Sequence, residues 1–342
     1  MVKVWYKVKV TIVGASGYTG GELLRLLLRH PKVEDIIATS RTYAGKKVSV
    51  VHKNLTGIYD KNFSEFDEKK VDSDVVFIST PHGESMEIVP KLIERDIRVI
   101  DLSADYRIKD TSIYEKFYCK HKSPELLKES VYGIPEIYRE KIKKARLIAN
   151  PGCYAISAIL AIMPLSKFKN KLDIEKVVVD SKSGTSGAGA KISEELHHPE
   201  VHDNLRPYNV VEHRHRPEIE FILSNFFDGI KISFTPTLMP ISRGILTNVH
   251  VFGKIEDIGE QYSKFYNGEP FIRIVDIPEI KNVVGTNYCD LNAYFDKNSS
   301  RILAISAIDN LIKGASGNAI QNMNIMFSFD EKSSLELIAE HP

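Results

Sequence analysis

One cysteine stands in a setting that favours nucleophilic chemistry. Cys153 follows a strand-like run at 145–149 and the breakers Pro151 and Gly152, and an apolar run at 155–163 predicts a buried helix after it. We therefore expect Cys153 at or just before a helix N-terminus, where the dipole and unpaired N–H groups lower the pKa of a thiol. A thiolate on such a turn can attack a carbonyl carbon. The alternative is a small buried core thiol, the usual state of a free cysteine.

Two histidines further along could assist such a thiolate. His213 and His215 stand just ahead of a predicted helix that has Pro217 and Glu218 in its first turn. A histidine in this position could act as a general acid or base, or as the partner of a thiolate. The other histidines nearby lack the fixed ligand spacing of a zinc site, so we predict no metal.

A glycine-rich turn near the start predicts a nucleotide site. The strand-like run 7–13 ends in glycines at 14, 17 and 20, and a helical pattern follows at 22–29. Such a turn lets the backbone approach a pyrophosphate, and the helix N-terminus favours its charge. The spacing is GxxGxxG, a variant of the dinucleotide-binding pattern GxGxxG. The residues assigned to the cofactor in this turn are Gly14, Ser16, Gly17, Tyr18, Thr19 and Gly20.

The end of the next strand, at 35–39, favours a 2′-phosphate. Ser40 and Arg41 stand there, and no acidic residue is present to bind a ribose 2′-hydroxyl. A hydroxyl and a guanidinium suit a phosphate, so we predict NADP rather than NAD. An ordinary surface turn is the alternative.

The loops that follow two more predicted parallel strands, 74–80 and 98–102, should lie at the carboxyl edge of the sheet, where ligands bind. Ser103 and Arg107 in the second loop are candidate anion ligands for a substrate. The polar stretch from there to Gly133 is expected to be a loop or lid.

Longer strand-like runs in the second half predict a mixed, largely antiparallel sheet. They lie at 176–181, 230–235, 244–252, 271–275, 287–295 and 302–308. After the first of them, three glycines within 184–189 permit close backbone approach to a ligand, although a flexible hairpin would also explain them. The chain is therefore expected to be α/β, with a Rossmann-type doubly wound parallel sheet followed by an α+β domain.

Composition limits the classes of function. The chain has 342 residues, enough for two domains, and a formal net charge of +1 gives no general attraction to nucleic acid or membrane. Its three cysteines form neither a disulfide framework nor a CxxC metal site, as is typical of a reducing compartment. No apolar run is long enough to span a bilayer and no signal-peptide pattern is present, so we expect a cytoplasmic protein.

Seven segments together resemble the N-acetyl-γ-glutamyl-phosphate reductase family. They are 14–23, 81–83, 150–154, 183–189, 213–219, 243–246 and 309–315. They occur in order through nearly the whole chain, so the resemblance is more specific than the glycine turn alone. Members of this family are related to aspartate-semialdehyde dehydrogenase and reduce an acyl phosphate to an aldehyde with NADPH. The family fold combines a Rossmann domain with an α/β catalytic and oligomerisation domain.

The resemblance implies a role for each candidate residue. The Cys153 thiolate would attack the acyl phosphate and expel phosphate, and hydride from NADPH would reduce the thioester to a semialdehyde. His213 or His215 would stabilise the thiolate and move protons, with Glu218 orienting the imidazole. The further cofactor contacts are Pro81, Ser183, Gly184, Gly187 and Asn310. For Asn310, helix packing alone is the alternative.

The same resemblance predicts the domain organisation. Residues 1–152 are assigned to the NADP-binding domain, with a C-terminal helix over 313–342 packing back on it. Residues 153–312 are assigned to the catalytic and oligomerisation domain, so a homodimer or homotetramer is expected.

One branch of the family acts on substrates held by an acidic amino-group carrier protein (LysW), in lysine and in some archaeal arginine biosynthesis. Residues 198–216 resemble this branch, and bacterial acetyl-glutamyl enzymes commonly have Thr where this chain has Arg216. Arg206, Arg214 and Arg216 could meet an acidic carrier, or could bind the substrate's own phosphate and carboxylate. The carrier-bound substrate is our main prediction, and the free N-acetylated substrate is the alternative.

Two other classes are weaker alternatives. A short-chain dehydrogenase needs YxxxK on a helix beside the site, and the two matches, Tyr43–Lys47 and Tyr118–Lys122, lie in loop-like stretches. A non-enzymatic NADP-sensing regulator would keep the first domain but would not need Cys153.

Overall fold

The computed structural model describes residues 6–340, which form two compact units. Unit 1 comprises the described residues up to Pro151 together with 315–336, and unit 2 comprises 152–314 and the residues after 336. The assignment of one function to each unit stays a prediction. Within residues 6–340, no helix has the length and apolar character needed to cross a membrane.

Strands and helices largely alternate in unit 1, whereas long strands dominate unit 2. The strands are β1 Val8–Val13, β2 Val33–Ala38, β3 Val75–Ile78, β4 Arg98–Asp101, β5 Val131–Tyr132, β6 Leu147–Ala149, β7 Leu172–Ser183, β8 Arg206–Pro207, β9 Ile232–Leu238, β10 Ile245–Gly253, β11 Ile272–Ile274, β12 Cys289–Asp296 and β13 Arg301–Ile308. The α-helices are α1 Tyr18–Leu27, α2 Ser85–Glu94, α3 Thr111–Phe117, α4 Pro135–Ile142, α5 Cys153–Ile162, α6 His198–Val201, α7 His215–Leu223, α8 Ile258–Phe265 and α9 Gly317–Met326.

Unit 1 is built on a six-stranded sheet with the order β2-β1-β3-β4-β6-β5. Every pairing in it is parallel. β3 and β6 bury all their side chains, as expected of strands covered on both faces. The predicted doubly wound parallel sheet is confirmed. The strand order reverses between β1 and β3, and the carboxyl ends at such a point are the usual ligand site of this fold.

The stretch between Ser103 and Gly133 is not the irregular loop that its polarity suggested. It contains α3, a 3₁₀ turn at Pro124–Leu127 and the short strand β5. The Tyr106 hydroxyl lies 2.6 Å from the Ser123 hydroxyl, and both side chains are buried. The prediction was wrong because the polar side chains bond to one another inside the unit rather than to solvent.

The C-terminal helix α9 is fully buried and packs on α1, α4 and β4. Ser328 has a φ of +55°, and its N–H bonds to the Ile325 carbonyl while the Phe329 N–H bonds to that of Asn324. This left-handed cap ends the helix. The helix predicted over 313–342 is therefore too long: a π-helical turn at 312–316 precedes α9, which ends at Met326. Residues 341–342 lie outside the described residues.

Unit 2 is built on a seven-stranded sheet with the order β11-β12-β13-β10-β7-β9-β8. Two of its pairings are parallel, β7 with β9 and β11 with β12, and the other four are antiparallel. The mixed, largely antiparallel sheet is confirmed. Side chains along β10 alternate between buried and partly exposed, which marks a sheet covered on one face.

Helix α5 covers the buried face of this sheet, packing on β10 and β13. Its residues after Cys153 are all buried. A layer of hydroxyl groups fixes it there: the Ser157 hydroxyl lies 2.9 Å from that of Thr247 and 2.7 Å from that of Ser306. At its far end, the hydroxyls of Tyr262 and Tyr266 donate to the carbonyls of Ala161 and Leu160, so the last turn of the helix has hydrogen-bond partners.

Candidate active site

Glycines in the turn between β1 and α1 allow a close approach of backbone segments. Gly14 has a φ of +80°, and a Cβ there would lie 2.4 Å from the Ser79 carbonyl oxygen. A Cβ at Gly20 would lie 2.6 Å from the Cα of Ala15, so only glycine lets α1 start so close to the turn. Gly17 is the N-cap of α1, and no described side chain caps this helix. A pyrophosphate would satisfy the open N–H groups, so these residues fit a dinucleotide.

The other residues predicted to bind cofactor in unit 1 lie around this turn. The Ser16 and Ser40 hydroxyls are 3.0 Å apart, which brings the end of β2 against the turn. Ser40 is buried, whereas the Arg41 side chain reaches into solvent and forms an ion pair with Glu84. Thr19 accepts the Ser316 hydroxyl through its carbonyl. Tyr18 and Pro81 are exposed, and the cofactor role of all these residues stays a prediction.

Two fully buried acidic residues lie at the carboxyl end of β4: Asp101 is its last residue, and Asp105 is in the loop that follows. Asp105 accepts the Gly83 N–H at 2.8 Å, the Ser85 hydroxyl at 2.7 Å and the Tyr114 hydroxyl at 2.7 Å. The Ser85 hydroxyl also lies 3.1 Å from Asp101. Burial, and then the charge of Asp105, raise the pKa of Asp101 above its ordinary value. This network ties the loop after β3 to the loop after β4.

Ser103 and Arg107, the predicted substrate ligands, both lie in this region of unit 1. Ser103 is buried within the carboxylate network and donates its hydroxyl to Asp101 at 2.7 Å. The Arg107 guanidinium donates to the carbonyls of Asn150 and Leu102, each at 2.8 Å. Both side chains therefore brace the sheet edge, and their contact with substrate stays a prediction.

Cys153 is the first residue of α5 in unit 2, with Gly152 as an extended N-cap and no described side-chain cap. The thiol is half-buried. Glu218 is buried on α7, and its carboxylate accepts the Gly152 N–H at 2.9 Å. Gly314 lies against the nucleophile, because a Cβ there would come within 2.9 Å of the Cys153 Cβ. The turn is thus held from two sides at the N-terminus of α5.

The two histidines meet beside the residue that follows the cysteine. The His213 and His215 rings are 4.9 Å apart, and both pack edge-on against the Tyr154 ring. His213 Nδ1 accepts the His215 N–H at 3.2 Å, which leaves the proton of the neutral ring on Nε2. Burial, and then the charge of Arg214, lower the pKa of His213 to about 4. His213 is therefore neutral at pH 7.

Two tyrosines complete the cluster, and neither was selected as a functional residue from the sequence. Tyr208 donates its hydroxyl to that of Tyr154 at 3.1 Å, and its ring packs against His213. Burial raises the pKa of Tyr208 to about 12 and that of Tyr154 further still. Both phenols remain hydrogen-bond donors at neutral pH. The signal that could have found Tyr154 is its place directly after Cys153.

The arginines predicted to bind substrate or carrier differ in their surroundings. Arg206 is paired with Glu195 at 3.4 Å. Arg214 is exposed. Arg216, next to His215 on α7, has a buried Nε with no hydrogen-bond partner among residues 6–340. A buried guanidinium N–H of this kind is a ready donor for an anionic oxygen.

The glycine loop after β7 is held within unit 2. The Gly184 N–H donates to the Gly244 carbonyl, and a Cβ at Gly184 would lie 2.7 Å from the Ser242 carbonyl oxygen. Asn310 links this loop to the next, accepting the Gly244 N–H at 2.8 Å and donating to the Ser186 hydroxyl at 2.9 Å. Ser183 is the last residue of β7, and Gly187 lies in this loop. Cofactor contacts from this loop stay a prediction.

Two further observations concern metal-ligating groups and the YxxxK matches. Among residues 6–340, no group of three or more His, Cys, Asp or Glu side chains is arranged to hold a metal ion. The YxxxK matches Tyr43–Lys47 and Tyr118–Lys122 both lie outside helices, where a short-chain dehydrogenase would need a helix.

Comparison with known proteins identifies the family. A model described as semialdehyde dehydrogenase, NAD binding domain, matches residues 9–145, and one described as semialdehyde dehydrogenase, dimerisation domain, matches 153–310. N-acetyl-gamma-glutamyl-phosphate reductases of Methanocaldococcus jannaschii and Methanopyrus kandleri are each 51% identical over 98% of this chain, which spans 99% and 100% of theirs. The enzyme of that name from Archaeoglobus fulgidus is 48% identical over 96% of this chain and 98% of its own.

Solved structures show the same fold. Aspartate semialdehyde dehydrogenase II of Vibrio cholerae superposes with a TM-score of 0.70 at 19% identity, covering 94% of this chain and 98% of that one. The Candida albicans aspartate semialdehyde dehydrogenase with NADP gives 0.68 at 15% identity, covering 96% and 99%. As the seven sequence segments predicted, the chain belongs to the N-acetyl-γ-glutamyl-phosphate reductase family of semialdehyde dehydrogenases.

Proposed function

We propose that this protein reduces a γ-glutamyl-type acyl phosphate to the semialdehyde with NADPH, through a thioester on Cys153. Membership of the family makes it an oxidoreductase of the semialdehyde dehydrogenase type. The observation that carries the proposal is Cys153 as the first residue of α5, braced by Glu218 at Gly152 and by Gly314. The names of the archaeal relatives support the substrate class and a place in amino-acid biosynthesis.

The N-terminus of α5 would favour the first step, attack by the Cys153 thiolate. The positive end of the α5 dipole favours the Cys153 thiolate over the thiol. The thiolate attacks the carbonyl carbon, a C–S bond forms, and the bond to the phosphate oxygen breaks, leaving a thioester and inorganic phosphate. Arg216, whose Nε lacks a partner among the described residues, would hold an anionic group of the substrate.

We assign different roles to the two histidines. His213 is a weak base, since its pKa lies near 4, and its Nε2–H makes it a hydrogen-bond donor to a developing oxyanion. We assign proton transfer to His215, which shares one face of α7 with Glu218 because the two are three residues apart. Reduction of the thioester gives a thiohemiacetal on Cys153. Its C–S bond then breaks, which releases the aldehyde and the thiolate.

The nucleotide site supports NADPH as the reductant. The glycine turn at Gly14–Gly20 and the uncapped N-terminus of α1 would hold the pyrophosphate. Ser40 and Arg41 would hold the 2′-phosphate. When bound, NADPH supplies the hydride that reduces the thioester.

We place the substrate on an acidic carrier protein of the LysW type, in lysine or arginine biosynthesis. Arg216 supports this choice, because its buried Nε offers a charged donor where bacterial acetyl-glutamyl enzymes commonly have Thr. The exposed Arg214 would meet acidic groups of the carrier, whereas Arg206 is already paired with Glu195. The free N-acetylated substrate is the second candidate, and it agrees with the names of the 51% identical relatives.

The test runs the reaction backwards, as phosphate-dependent reduction of NADP. One assay contains free N-acetylglutamate semialdehyde, and the others contain glutamate or aminoadipate semialdehyde attached to the carrier. Activity only with a carrier-bound aldehyde supports our first choice, and activity with the free compound selects the second. No NADPH formation with any of them, from protein that binds NADPH, would favour a non-enzymatic sensor. Arg216→Thr should raise KM for the carrier-bound aldehyde about tenfold, since a charge-assisted hydrogen bond is lost.

We also propose a homo-oligomer built on the sheet of unit 2. Along β10, the partly exposed Leu246, Asn248, His250 and Phe252 alternate with buried residues, which leaves a half-apolar face. The family model for this region carries the description dimerisation domain. Light scattering on the purified protein distinguishes monomer, dimer and tetramer. Leu246→Glu should shift a dimer to monomer, and an unchanged mass would place the interface elsewhere.

A further inference from the structure

We propose that the Thr80 hydroxyl binds an oxygen of the nicotinamide-side half of the dinucleotide. Thr80 follows β3 in unit 1, and its Oγ1 is buried with no hydrogen-bond partner among residues 6–340. The inference rests on the proposed NADP cofactor and adds a residue that the glycine pattern does not include.

The Thr80 hydroxyl differs from several buried or half-buried hydroxyls at this sheet edge. Three other hydroxyls near this edge have partners: Ser16 with Ser40, Thr39 with the Ile12 carbonyl, and Ser85 with Asp105. Burying a hydroxyl without a partner costs free energy, and such groups in native proteins call for a ligand or water to satisfy them.

The position of Thr80 points to the nucleotide as that ligand. A Cβ at Gly14 would lie 2.4 Å from the Ser79 carbonyl oxygen and 3.4 Å from the Thr80 nitrogen, so the end of β3 forms one wall of the glycine turn. The turn lies between β1 and β3, where the strand order reverses. Ligands of doubly wound sheets bind in this crevice.

The order of the strands also indicates which half of the dinucleotide would lie near Thr80. Ser40 and Arg41, the expected ligands of the adenosine 2′-phosphate, follow β2, which pairs with one side of β1. Thr80 follows β3, which pairs with the other side. With the pyrophosphate at the N-terminus of α1, the nicotinamide mononucleotide half extends over β3. A threonine hydroxyl can donate a hydrogen bond to a phosphate or ribose oxygen of this half.

The experiment compares Thr80→Val with Thr80→Ser and with Thr11→Val as a matched control. Thr11 is buried in β1 of the same sheet, but its hydroxyl has a partner, Ser73, at 2.8 Å. Dissociation constants for NADPH and for 2′,5′-ADP, which lacks the nicotinamide half, are measured by calorimetry. Thermal unfolding of the nucleotide-free proteins gives a second readout that does not depend on activity.

We expect Thr80→Val to weaken NADPH binding about 3- to 10-fold, the loss of one hydrogen bond, with 2′,5′-ADP binding unchanged and Tm not lowered. Thr80→Ser should bind NADPH as wild type does. Thr11→Val should show the opposite pattern, a lower Tm with both dissociation constants unchanged, because it leaves the Ser73 hydroxyl unpaired.

Unchanged NADPH affinity in Thr80→Val would overturn the inference and assign the hydroxyl to a water molecule. An equal loss for NADPH and 2′,5′-ADP would overturn the choice of the nicotinamide half. Wild-type protein that binds neither nucleotide would refute the cofactor proposal itself, and with it this inference.

Discussion

The pKa of His213 gives the protein a stability that depends on pH. The ring is buried in unit 2, and its pKa is lowered from an ordinary value of 6.5 to about 4 by burial and by the charge of Arg214. In the unfolded chain the same ring is free to take up a proton near pH 6.5. Folding therefore opposes protonation of this residue, and acid should favour the unfolded state.

The size and direction follow from the two pKa values. Above about pH 7 the ring is neutral in both states and contributes nothing. As pH falls from 6.5 towards 4, only the unfolded state binds the proton, so the free energy of unfolding decreases. The linkage relation gives a loss of about 2 kcal/mol at pH 5, and about 3 kcal/mol once pH is below 4.

The perturbation is His213→Asn, which removes the titrating group but keeps a polar side chain. Urea denaturation of wild type and variant at pH 7.5 and pH 5 gives the free energy of unfolding of each. Wild type should lose about 2 kcal/mol more than the variant between these two values. A histidine-selective NMR titration of the native protein should show the His213 signal shifting only below about pH 5.

Equal losses in the two proteins would refute the reasoning, and so would a native His213 signal that titrates near pH 6.5. Either result would mean that the ring is accessible to water or paired with an acceptor that stabilises its charge. The assignment of His213 as a neutral donor and His215 as the proton carrier would then have to be exchanged.

Three further predictions concern single side chains. Cys153→Ser should reduce turnover by at least about 10³-fold and abolish stoichiometric labelling by iodoacetamide at this position; a variant that turns over like wild type would remove Cys153 from the mechanism. Gly314→Ala should lower kcat about 10- to 100-fold because its Cβ would lie 2.9 Å from that of Cys153, whereas Gly259→Ala on α8, with no neighbour closer than 3.5 Å, should not. Arg41→Ala should weaken binding of NADPH about tenfold and leave that of NADH unchanged by calorimetry, and equal losses for both would argue against a 2′-phosphate contact.

The features that could be predicted from the sequence depend on short-range pattern. The strand, glycine turn and helix around Gly14 follow one another directly, and so do the strand, the breakers and the helix around Cys153. Local periodicity separates the parallel sheet of unit 1 from the mixed sheet of unit 2. These signals survive in a single sequence because each is complete within about twenty residues.

The features that were missed depend on contacts between distant residues. Gly314 is constrained by Cys153, which lies far from it in the sequence, and Tyr208 is drawn into the cluster by Tyr154 and His213. The stretch after Ser103 was mistaken for a loop because its polar residues satisfy one another in the interior. The end of α9 depends on a left-handed serine, Ser328, where glycine is the usual signal.

The hydroxyl layer beneath α5 has a consequence for how the nucleophile could be moved or redesigned. An all-aliphatic contact tolerates sliding and rotation, because apolar surfaces match in many ways, whereas hydrogen bonds between Ser157, Thr247 and Ser306 close in only one register. Ser157 lies one helical turn after Cys153, so this register fixes how far the cysteine stands beyond the sheet. A cysteine turn grafted onto another scaffold would need these three hydroxyls as well as its own five residues. Without them, the helix could rotate by a fraction of a turn and place the sulfur away from the carbonyl carbon that it attacks.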